Sequence, residues 1–201
     1  MIKSVLKALL FIFIGGFIIV FGYLMFFFFC AGAFDKDYTP KELAENFNKK
    51  EKNIYILKHY FNSIVPENKG VVVEFEGNNK LSRFGIYGNS GSQEFFVWDL
   101  KINTSKMDSI LLTLGWSQQT LKLLKEKLDN ANCIGIESGE PTKIGFKRSG
   151  MGMYFFNVFD APLSDSIRKI YKDDTCAYII VNDKLILEYG GGAFGSTSSL
   201  Y

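Results

Sequence analysis

The sequence predicts an α+β protein: an N-terminal transmembrane helix, then one domain with a mostly antiparallel sheet and three to four helices. Three observations carry this. No charged residue stands between Ala8 and Phe34. The remainder reads as strands first, helices in the middle and strands last, an order that suits α+β rather than alternating βαβ units. Short Gly- and Asn-containing turns separate the strands, as between antiparallel neighbours.

The apolar run is ALLFIFIGGFIIVFGYLMFFFFCAGAF. At about 1.5 Å per helical residue it matches a hydrocarbon core roughly 30 Å thick. Lys3 and Lys7 could head a cleaved signal peptide, with Cys30–Ala33 as small residues for a peptidase. The apolar stretch of such a peptide is usually only about 7–15 residues, however. Lipidation at Cys30 is the other alternative, but Phe27, Phe28 and Phe29 stand where small residues are needed. The reading is therefore a signal anchor over residues 1–34, single-pass in a bacterial cytoplasmic membrane, touching the lipid bilayer through residues 8–34. Gly15, Gly16 and Gly22 form no G-x-x-x-G pair. Lys and Arg after the span favour a cytoplasmic domain, yet a short N-terminal tail commonly stays inside and long domains translocate regardless of charge. The domain is expected on the extracytoplasmic side.

Residues 35–189 are long enough for one domain with its own core, and 190–201 read as a flexible Gly/Ser-rich tail. With Lys3 and Lys7 set aside, the 23 basic residues fall to 21, equal to the 21 acidic ones. Nucleic-acid binding needs a basic face, and this balance sets it aside. The Lys-, Asn-, Ile- and Phe-rich texture resembles that of envelope proteins of low-G+C bacteria.

The domain opens with Thr39-Pro40-Lys41-Glu42, a helix cap, a proline suited to the first helical position and a capping-box acid. Leu43, Phe47, Ile54, Leu57, Phe61 and Ile64 give one apolar helical face. The polar run Asn48–Asn53 is a candidate break, and Val65-Pro66 ends the helix. Gly70–Glu76, Leu81–Tyr87 and Gln93–Leu100 read as a strand meander. Ser105 is the expected cap of the next helix, with Asp108 completing its box and Gly115 ending it. Ser117 caps another, with Leu121, Leu124, Leu128 and Ala131 as its apolar stripe. Lys122, Lys125, Glu126 and Lys127 read as its solvated face. Strands follow at Cys133–Glu137, Lys143–Lys147 and Met153–Phe159, then a short helix after Ser164. A hairpin, Thr175–Val181 and Lys184–Tyr189, closes the domain.

No catalytic, cofactor-binding or metal-binding residue is assigned. His59 is the only histidine, too little for zinc or a Ser-His-Asp site. Glu74 and Glu76 lie on one strand face, and alternation on a half-exposed strand explains them. The glycine pieces at Gly88–Ser92 and Ser149–Gly152 match no phosphate loop, and Lys147-Arg148 is an ordinary turn pair. Cys133 and Cys176 could bond if their strands are neighbours. Trp98 and Trp116 read as core lids or interface residues. The expectation is a non-enzymatic binding or interaction module of the cell envelope with a possible protein partner there. The alternatives are a carboxylate-dependent hydrolase using Glu74, Glu76, Asp99 or Glu137, and a small-ligand or lipid carrier.

Overall fold

The computed structural model describes residues 2–30, 32, 34–88, 91–150 and 152–190, with side chains from residue 13 onward except Cys30. The predicted tail beyond Gly190, and parts of the Gly88–Ser92 and Ser149–Gly152 turns, lie outside the described residues. Within them stand five helices and one eight-stranded, wholly antiparallel sheet. The helices are α1 (Ile2–Cys30), α2 (Pro40–Ile64), α3 (Ser105–Leu112), α4 (Gln118–Asn130) and α5 (Asp165–Lys172). The strands are β1 (Lys69–Glu76), β2 (Lys80–Gly88), β3 (Gln93–Lys101), β4 (Gly135–Glu137), β5 (Thr142–Ser149), β6 (Gly152–Val158), β7 (Tyr178–Asn182) and β8 (Leu185–Gly190). Their order across the sheet is β3-β2-β1-β4-β5-β6-β8-β7.

The predicted transmembrane helix and signal anchor need correction. No helix among the described residues is long and apolar enough to cross a membrane. The uncharged run is not one helix. It stops at Cys30, and Gly32, at φ 73°, turns the chain so that Asp35 N–H reaches the Gly32 carbonyl at 3.0 Å. A Cβ at Gly32 would lie 2.9 Å from Gly150 Cα, so this turn is seated on the domain. The side chains described on α1 run from Phe13 to Phe29.

α2 is continuous over 25 residues, so the polar run Asn48–Asn53 does not break it. Asn48, Lys49, Glu51 and Lys52 are exposed, Lys50 and Asn53 are half-buried, and Asn53 Nδ2 donates to the Asn130 carbonyl at 3.0 Å, tying α2 to α4. The capping box of Thr39 and Glu42 is present on both sides. A Lys36 hydrogen bond, together with those from Thr39, holds the Glu42 carboxyl down at about 2. The cap of α3 is Thr104, whose Oγ1 accepts from Met107 N–H at 3.2 Å, and not Ser105. Asp108 is thereby free to accept from Gln118 Nε2 at 2.7 Å. Ser117 caps α4 as its sequence indicates.

α2, α3 and α4 cover one sheet face. Leu43, Leu57 and Phe61 of α2, Met107 of α3 and Leu124 of α4 join Val73, Phe84, Ile144 and Phe156 in a single core. Trp116 belongs to that core and donates from Nε1 to the Ile64 carbonyl at 2.7 Å. Across β7 and β8 the opposite face is covered by α5 and its approach, where Phe159 and Leu163 pack on Ile186. The second face is therefore not simply solvated, because Val72 and Glu74, which alternate with Val71 and Val73, are also buried.

Candidate functional site

Three of the four carboxylates that a hydrolase would use, Glu74, Glu76 and Asp99, are engaged in ion pairs. Glu74 is 1% exposed. The Arg148 guanidinium holds it through Nε at 2.7 Å and Nη2 at 2.6 Å, and Arg83 Nε lies 3.5 Å away. Glu74 stands opposite Arg83 in the β1–β2 register, next to a register shift between Glu74 and Phe75. Glu76 and Asp99 meet on one ammonium, Lys80 Nζ, at 2.9 and 2.7 Å. Glu137 is half-buried on β4. None of the four lines the cavity beside α4 described below. His59 is exposed on α2. No group of three or more His, Cys, Asp or Glu among the described residues is placed to hold a metal.

The sequence reading missed a buried cation. Lys58 is fully buried although it stands outside the apolar series Leu43–Ile64 and next to the exposed His59. Its Nζ donates to the Val158 carbonyl at 2.7 Å and lies 3.0 Å from Asp160 Oδ1 and 3.8 Å from Glu140 Oε2. That ammonium holds the Asp160 carboxyl below its ordinary value. A buried charge is tolerated only when paired and hydrogen-bonded, so Lys58 is a tie between α2 and the end of β6. On the second face Lys143 Nζ, at 2.5 Å, and Asn157 Nδ2, at 2.9 Å, satisfy Glu188. Burial first, and Glu188 second, push the nearby Tyr178 hydroxyl up to about 12.

Cys133 and Cys176 are free thiols, the first buried and the second exposed, so the strand neighbourhood needed for a bond does not arise. Both precede their strands, β4 and β7, rather than starting them. Burial raises the Cys133 thiol to about 12. Trp98 is 58% exposed on β3, at the free edge of the sheet, packed edge-on against Phe96. Arg148 belongs to Glu74, and Lys147 lies over the Phe146 ring.

Two features do stand open. One is a cavity of about 620 Å³ between α4, the β1–β2 turn and the β3–α3 loop. Five carboxamides line it, those of Asn78, Asn103, Gln118, Gln119 and Asn130, beside Lys122, Lys125, Glu126 and Asp129 and the apolar Phe75, Ile102 and Leu121. Gln118 Oε1 is buried there without a hydrogen-bond partner. Sequence reasoning passed over this site because its residues read as turn chemistry and a solvated helix face. The available signal was the concentration of Asn and Gln around α4. The cavity's lining is mixed, with carboxamides and charged groups set beside Phe75, Ile102 and Leu121.

The other feature is α1. Phe13, Phe17, Ile18, Ile19, Val20 and Phe21 are all exposed, and so are Tyr23, Leu24, Met25 and Phe26–Phe29. Successive residues cover every side of a helix at 3.6 residues per turn, so the exposed apolar surface has no polar side.

No protein-family model matches this chain, and neither a curated protein nor a solved structure matches it.

Proposed function

We propose that this protein is a non-enzymatic binding module held at a lipid surface by α1. The observation that carries the reading is the all-round apolar exposure of α1. A protein groove covers one stripe of a helix, whereas lipid covers every side. Contiguous exposed apolar surface of this extent marks an interaction site. The described side chains of that contact are Phe13–Phe29, sunk among the acyl chains. The binding role rests on the α+β domain. Its carboxylates Glu74, Glu76 and Asp99 are committed to ion pairs, while its cleft keeps one buried acceptor, Gln118 Oε1, without a partner.

Flotation with vesicles of phosphatidylcholine and phosphatidylglycerol tests the attachment. Each buried Phe contributes about 1.5–3 kcal/mol. The double substitution F21K/F28K is therefore expected to lower partitioning by about 100-fold or more, with the domain's melting unchanged. Equal flotation of the variant and the parent chain would contradict the reading.

A further inference from the structure

The cleft beside α4 has the shape of a groove. Its α4 lining residues, Gln118, Gln119, Leu121, Lys122, Lys125, Glu126, Asp129 and Asn130, recur along one side of the whole helix. At about 1.5 Å per residue that lining is roughly 18 Å long. An extended chain rises about 3.3 Å per residue, so about five residues fit. A carboxamide pairs donor and acceptor as the peptide unit does, and five of them line the groove. Gln118 uses its Nε2 on Asp108 and leaves Oε1 buried, an acceptor without a donor. Phe75 is the one aromatic among the groove's lining residues, and Lys125 Nζ lies over its ring at 5.9 Å, which leaves a saccharide ring no open aromatic face to stack on.

The charges narrow the ligand further. Lys125 is closed onto Asp129, at 2.5 Å, and lies over the Phe75 ring. Lys122 and Glu126 are exposed, one turn apart, and neither has an ion pair among the described residues. One helical turn advances about 5.4 Å, close to the roughly 6.6 Å between alternate side chains on one side of a strand.

We infer that the groove binds an extended peptide segment carrying an acidic and a basic side chain two positions apart. The inference rests on the binding-module reading of the domain and is independent of lipid attachment. Gln118 and Gln119 face the peptide's main chain, and Lys122 and Glu126 read its charge order. The test uses the full chain in detergent micelles. It is titrated with acetyl-Ser-Glu-Ser-Lys-Ser-amide and with acetyl-Ser-Lys-Ser-Glu-Ser-amide, following backbone amides by NMR. One order should move the amides of Gln118, Gln119, Lys122 and Glu126 and bind about fivefold tighter than the other, the scale of exposed ion pairs. The double variant K122E/E126K should keep the fold and reverse that preference. Silence from both peptides would overturn the proposal. So would a preference that survives the double variant, or N,N′,N″-triacetylchitotriose moving the same amides while the peptides do not. Failed flotation leaves this titration unaffected, so the two readings fail separately.

Discussion

α1 and α2 are near equals in length, 29 and 25 residues, and differ in surface. α2 places Leu43, Phe47, Ile54, Leu57 and Phe61 on one stripe and buries them against the sheet, with Lys49 and Lys52 exposed to water. α1 carries apolar residues on consecutive positions and exposes those described, from Phe13 to Phe29. Apolar content alone does not decide what covers a helix. A stripe with a period of 3.6 finds a partner of similar width inside its own fold, whereas an unbroken apolar surface needs cover from outside. On the proposed reading the two helices divide the molecule's tasks, one building the domain and the other attaching it to lipid.

The sharpest way to break this comparison is to make the same substitution in both kinds of surface. Leu124 of α4 is fully buried, whereas Leu24 of α1 is 47% exposed. Leu124→Ala should cost about 2–5 kcal/mol of domain stability through lost transfer energy and a residual cavity. Leu24→Ala should leave the domain's denaturation midpoint within about 0.5 kcal/mol of the parent's. Chemical denaturation followed by Trp116 fluorescence distinguishes them, and equal effects would mean that α1 packs as part of the domain.

A second prediction concerns the polar tie inside the helix layer. Lys58→Ala removes the donor to the Val158 carbonyl and the cation beside Asp160. An orphaned buried acceptor and the space left behind should together cost about 2–4 kcal/mol. The same pair sets a pH dependence. The Asp160 carboxyl sits below its ordinary value in the folded state, so its contribution is present above about pH 4 and is lost as pH falls through the folded value. Melting curves from pH 6 to pH 2 should show the parent chain losing more stability than Lys58→Ala does. Parallel loss in the two would remove Lys58 from the account.

The smallest effect is chemical. Cys176 is exposed, whereas Cys133 is buried with its thiol raised to about 12. Reactivity follows thiolate fraction and access. Iodoacetamide at pH 8 should alkylate the Cys176 peptide within minutes and the Cys133 peptide only after denaturation, as read by mass spectrometry. Comparable native labelling of both would mean that the β4 end of the core opens.

Much of the domain was legible because its signals are local. Thr39-Pro40-Lys41-Glu42 and Ser117 cap their helices through hydrogen bonds spanning three residues, and Gly115, at φ 67°, ends the α3 region. What escaped was set by distant partners. Nothing near Lys58 in sequence shows that its ammonium meets Val158 and Asp160, about a hundred residues on. Glu74 read as a half-exposed strand residue because Arg148 joins it from β5. The polar run Asn48–Asn53 read as a break because its tie to Asn130 is tertiary. The groove residues were each ordinary alone, and only the fold puts Asn78, Asn103 and Gln118 around one space. The N-terminal run was misjudged for the opposite reason. Composition fixed its apolarity but not the turn at Gly32 that ends the helix and seats the chain on the domain.

The central claim is that lipid covers α1 while the domain keeps its own core. Photoactivation of a diazirine-bearing phospholipid in vesicles carrying the full chain, with adducts mapped by mass spectrometry, tests it directly. The account predicts adducts within Phe13–Phe29 and none from Pro40 to Gly190. Adducts spread over the sheet and its helices, or absent from Phe13–Phe29, would contradict it.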